Sequence, residues 1–173
     1  FQCLILQEEF GFSSILIHNV HLKLWDISVE KLYEAAKENT PRLLPYQIKS
    51  MQQVLFEIMK EQNPKEYSSE DCIKHSTNNI PMFVLSNQHK VEGASCILYP
   101  NVLHDFADTI NSSFYIIPSS IHEVLLLPTE TTEESASILS MIQEINDTQV
   151  SVEEILSYSL YFYDKRTDKV VKV

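Results

Sequence analysis

Side chains of catalytic type crowd together in one stretch, PSSIHEVLLLP at residues 118–128. A serine hydroxyl becomes a nucleophile when an imidazole within reach takes its proton and a carboxylate orients that imidazole. Ser120, His122 and Glu123 supply those three types, with Ser119 beside them. In an extended chain, residues 120 and 122 share a face while residue 123 points the other way. His122 can then reach Ser120, but Glu123 cannot orient the imidazole from the same strand. The stretch has no glycine, so the strained G-x-S-x-G elbow of serine hydrolases is absent. The competing reading is a bend at Ser119–Ser120, with His122 at the mouth of a core strand through Leu125, Leu126 and Leu127.

His18 and His21, in HNVH, have the spacing that would put two ligands on one helical face. The stretch leaves an apparent strand, however, and no H-E-x-x-H or Cys/His set accompanies it. A metal site would have to pool His18 and His21 with His122. His104 with Asp105 and Asp108 offers another cluster, and His104 and Asp108 at i, i+4 are also an ordinary pairing on a helix surface. His75 and His89 lie in polar context and read as solvated.

Three cysteines, Cys3, Cys72 and Cys96, are an odd number with no disulfide or zinc spacing. They read as reduced thiols of a cytoplasmic protein, with Cys3 and Cys96 in apolar settings. Two glycines in 173 residues exclude G-x-G-x-x-G and Walker A loops, so no nucleotide cofactor is expected. Net charge is −11, and KVVKV and DKRTDK are too sparse in basic residues to offset it. That field repels a phosphate backbone and an anionic membrane surface, so neither nucleic acid nor membrane is an expected partner. No apolar run approaches the roughly 20 residues that span a bilayer.

Tyr158, Tyr161 and Tyr163 lie in YSLYFYD, where Leu160 and Phe162 alternate with Tyr161 and Tyr163. If the tyrosine face is exposed, Tyr161 and Tyr163 suit a partner interface. If helices cover both sides of the sheet, they belong to the core.

The elements that must position these residues are legible as blocks. CLIL and SSILI read as two strands around QEEFG, and Trp25, after Leu22 and Leu24, reads as core. A helix near 28–39 starts at Ser28 and stops at Pro41. A second, about 46–60, carries Ile48, Met51, Leu55, Ile58 and Met59 as its apolar stripe. Residues 61–80 form a long polar loop without a period. PMFVLSN is a strand, and VEGASCILYPNVLHDFADTI is helical with a break at Pro100. FYIIPSS and HEVLLLP are strands. Thr131 with Glu134 and Ser151 with Glu154 make capping boxes for two further helices. YSLYFYD and VVKV close the chain as strands. The order predicts an α+β fold in a single domain over 1–173, with a largely antiparallel sheet and helices packed mainly on one face.

FSSILIHNVHLKLW, LYEAAKENTPRLLP, PMFVLSNQHKVEGASCILYP and SSIHEVLLLP, in that order, resemble an uncharacterised family of Firmicute gut anaerobes. The layout is also distantly similar to a second Firmicute family of unknown function. Neither resemblance implies an activity, cofactor or catalytic residue. The first implies further sequence upstream of Phe1, so the chain is expected to be the C-terminal part of a longer protein. The expected function is a non-enzymatic cytoplasmic interaction or regulatory module with a protein partner. The alternative is a hydrolase or metal-assisted enzyme built around His122.

Overall fold

In the computed structural model, residues 1–7, 11–62, 82–118, 120–129 and 135–173 are described. The polar segment after 62, with Cys72 and His75, lies outside these residues, as do Ser119 and the Thr131/Glu134 box. By contacts the chain falls into two compact units, Phe1–Leu43 and Leu44–Val173.

The first unit opens with a hairpin of β1 (Gln2–Gln7) and β2 (Gly11–Leu16), antiparallel with Cys3 opposite Ile15. Helix α1 (Asn19–Trp25) follows, with His18 of HNVH at its N-cap as the chain leaves β2. Trp25 is not core but half exposed, with its ring stacked on His21 at 5.6 Å. Helix α2 (Val29–Leu43) starts as expected at Ser28, whose Oγ accepts the Lys31 N–H at 3.3 Å. It does not stop at Pro41, which lies inside its last turn. A missing N–H so close to the end removes little of the helical ladder.

The second unit is built on a six-stranded sheet in which every neighbouring pair is antiparallel. Its strands are β3 (Tyr46–Ser50), β4 (Phe83–Asn87), β5 (Phe114–Ile117), β6 (Val124–Pro128), β7 (Tyr161–Asp164) and β8 (Lys169–Lys172), in spatial order β3-β4-β6-β5-β7-β8. The helices are α3 (Met51–Gln62), α4 (Val102–Ile110) and α5 (Ser135–Gln149), with a 3-10 turn over Gly93–Leu98. The α+β class and antiparallel sheet follow the sequence reading.

Two element assignments change. Residues 46–50 were expected to begin a helix but form β3, because YQIKS also alternates with period two and pairs with β4. Helix α3 then starts at Met51, where Ser50 and Gln53 exchange backbone-to-side-chain hydrogen bonds of 2.9 and 3.2 Å. This is a capping box. Ser151 and Glu154 make only a turn, closed by the Glu154 N–H on the Ser151 carbonyl at 2.9 Å.

Helices also cover both faces of the sheet, not mainly one. Val124 and Leu126 pack with Phe106, Phe114 and Tyr163 on the α4 side. Leu127 and Ile117 pack with Ile138 and Ile142 of α5 on the other. The run VLLLP is apolar at every position because both of its faces are buried. Each such leucine contributes about 1.5–3 kcal/mol.

Candidate functional site

Asn87 ends β4, and its side chain is fully buried. Its Nδ2 donates to the Val91 carbonyl at 2.6 Å, and its Oδ1 accepts the N–H groups of His89 and Val91 at 3.0 and 3.3 Å. Asparagine in this role folds the backbone onto its own amide. The loop so wound puts Lys90 at φ 56° and Glu92 at φ 49°. Left-handed conformations at side-chain-bearing residues cost roughly 1–3 kcal/mol each and persist where their surroundings hold them.

Two anchors hold this loop. Gly93 is wedged so tightly that a β-carbon there would lie 2.1 Å from Ser86 Oγ, 2.5 Å from His122 O and 2.8 Å from Asn87 N. The second anchor is His122, whose Nδ1 accepts the Glu92 N–H at 3.2 Å. The proton of the neutral ring therefore sits on Nε2, which faces Glu154 Oε1 at 3.6 Å. Ser86 Oγ donates to the His122 carbonyl at 2.7 Å.

The geometry of PSSIHEVLLLP follows. Ser120 Oγ is 3.1 Å from His122, but it accepts the backbone N–H and does not meet the imidazole. His122 and Glu123 precede the strand that starts at Val124, and Glu123 lines a cleft with Val84 and Leu125. The carboxylate that does face His122 is Glu154, brought in by the 151–155 turn, whose carbonyl takes the Ile121 N–H at 2.9 Å. Sequence reasoning singled out Glu154 as a helix cap only. The opening stretch is thus a bend and core strand whose histidine pins a neighbouring loop.

His18 and His21 lie in the first unit. His21 Nδ1 accepts the His18 backbone N–H at 3.0 Å, and the two rings are tilted with centroids 5.7 Å apart. Among the described residues no group of three or more His, Cys, Asp or Glu side chains could hold a metal. Cys3 is exposed, while Cys96 is buried and its thiol is pushed up by that burial.

Tyr163 is not an exposed binding residue. It is 2 % exposed, stacks on Phe114 at 4.9 Å and donates its hydroxyl to Asp168. Tyr161 is half-buried against the same core. Burial first, then the Asp168 hydrogen bond, pushes the Tyr163 hydroxyl well above the ordinary tyrosine range. His104 joins this network, with Nδ1 3.7 Å from Asp168 and Nε2 3.5 Å from Asp108. Lys165 ties Asp108 at 3.2 Å and Asn111 at 2.9 Å. The expected His104/Asp108 pair thus clamps the β7–β8 turn onto α4.

Two concave surfaces flank β3. On the α4 side, an open groove of about 860 Å³ is lined by Tyr46, Ile48, Phe83, Phe106 and Ile110, with Asp105 at its rim. On the opposite side, a cleft of about 320 Å³ lies against α3. β3 is an edge strand, and no strand among the described residues pairs with its outer side.

Pro45 O accepts from Gln88 N at 3.0 Å, and Met51 N donates to Met82 O at 2.8 Å. Antiparallel bonding alternates, so Gln47 and Lys49 also face β4, while Tyr46, Ile48 and Ser50 face outward. Ser50 N–H is satisfied by Gln53, which leaves the Tyr46 and Ile48 backbone groups along the groove.

Among the described residues no helix is long and apolar enough to cross a membrane. No curated protein and no solved structure matches the chain significantly. A family model does match it over residues 1–165, across both compact units. The chain therefore belongs to a family of unknown function, DUF5688.

Proposed function

We propose that this chain is a non-enzymatic interaction module that binds an extended segment of a protein partner by strand addition at β3. The observation that carries the reading is the outward-facing backbone of Tyr46 and Ile48 beside an apolar groove. An added strand takes its affinity from main-chain hydrogen bonds and its specificity from pockets for alternate side chains. Here those side chains would rest on Phe83, Phe106 and Ile110. Asp105 at the rim and the net charge of −11 favour a segment carrying a basic residue.

The other edge of the sheet is guarded differently. β8 begins and ends with lysine, at Lys169 and Lys172, and charged edge strands resist unplanned pairing. β3 has no such pair at its ends.

The hydrolytic alternative at Ser120, His122 and Glu123 would need a ring nitrogen free to take a proton, and the Nδ1 lone pair of His122 is engaged by the Glu92 N–H. The cytoplasmic setting and Firmicute origin implied by the resemblance and the unpaired cysteines belong to this proposal.

The test is selection of random peptides displayed on phage against the whole chain. The expected binders alternate apolar residues and carry Lys or Arg, and Tyr46→Pro weakens them at least about tenfold. Tyr46 is 41 % exposed, and proline is tolerated on an edge where the lost N–H faces outward, so this variant folds. An absence of binders, or binders indifferent to Tyr46→Pro, would overturn the reading.

A further inference from the structure

We infer that the cleft between α3 and the sheet is a binding site for a small monocarboxylate with an apolar tail. It lies on the face of β3 opposite the groove and does not depend on strand addition. Its walls are apolar, formed by Val54, Leu55 and Ile58 of α3 and by Val84 and Leu125 of the sheet. Lys49, Glu57, Lys90 and Glu123 supply its charges.

Those charges are not equivalent. Lys49 and Glu57 hold each other at 2.6 Å and are mutually neutralised. Among the described residues the Lys90 ammonium makes no ion pair within 4.0 Å. The Lys90 backbone is nonetheless held in place. The Lys90 N–H donates to the Asn87 carbonyl at 3.1 Å, and its φ of 56° is fixed by the buried Asn87 amide, Gly93 and His122. A strained, over-determined backbone that presents one charge to a concave apolar surface is the arrangement of a ligand clamp.

The ligand follows from size and charge. At about 30 Å³ for each group the size of a water, the cleft takes on the order of ten non-hydrogen atoms. A single carboxylate meets Lys90, and the tail covers Leu55, Ile58 and Val84. The carboxylate of Glu123 lines the same space and disfavours a doubly charged head.

Octanoate, with ten non-hydrogen atoms, is the probe. Isothermal titration of the whole chain is expected to show saturable binding of octanoate but not of octylamine or octyl phosphate. Lys90→Asn is expected to weaken octanoate at least about tenfold, the loss of one charge-assisted contact. Asparagine tolerates the left-handed backbone, so the loop survives the change. Lys90→Arg restores binding. Leu55→Gln weakens it from the tail end, and Leu55 is 47 % exposed, so that variant folds. Absence of saturable binding, equal binding of octylamine, or indifference to Lys90→Asn would each overturn the inference.

Discussion

Nδ1 of His122 accepts the backbone N–H of Glu92 at 3.2 Å, joining segments 30 residues apart. This bond makes His122 a structural pin for the loop after β4. His122→Ala removes the acceptor and is expected to destabilise the second unit by about 1 kcal/mol. His122→Asn, whose Oδ1 can take the same N–H, should recover most of the loss. Urea unfolding of the two variants checks the ordering, since a change in midpoint at constant slope is a change in stability.

Gly93 carries a larger effect. With a β-carbon 2.5 Å from His122 O and 2.8 Å from Asn87 N, two of the three clashes are with backbone that cannot rotate away. Gly93→Ala is expected to cost about 3 kcal/mol or more. Adding Ser86→Ala removes only the Ser86 Oγ contact, so the double variant should remain close to the single one in thermal unfolding.

The sequence displayed the α+β class through its strand periods and turns. It hid what depends on pairing across the chain. YQIKS fits both a helix and a strand, because Ile48 and Met51 are compatible with either period, and the β4 partner decides. The S-x-x-Q spacing at Ser50 and Gln53 is a legible signal that the helix starts at Met51, and the reading from the apolar stripe did not use it. Tyr163 was ambiguous for a similar reason. Period two places it opposite Leu160 and Phe162, but only the position of α4 decides that its face is covered. Glu154, Asn87 and Gly93 converge on His122 and its loop from three separate segments, which no local spacing encodes.

Tyr99 and Tyr163 give a prediction at alkaline pH. Burial is the largest cause that raises both hydroxyls well above the ordinary value of 10.0, and Cys96 and Asp168 add to it respectively. A group raised in the folded state contributes stability that is fully present below its unfolded pKa and is lost as pH rises through the folded value. Stability should therefore hold up to about pH 10 and decline above it. Tyr99 and Tyr163 should stay protonated well above pH 10, as read by absorbance at alkaline pH. Tyr163→Phe should remove part of the decline.

If β3 accepts an added strand, amide hydrogen exchange reports it residue by residue along Tyr46–Ser50. With a selected peptide bound, the Tyr46 and Ile48 amides should slow by about tenfold or more, because each gains a hydrogen-bond partner. Gln47 and Lys49, already directed at β4, should change far less. Binding that leaves Tyr46 and Ile48 unprotected would contradict strand addition at this edge.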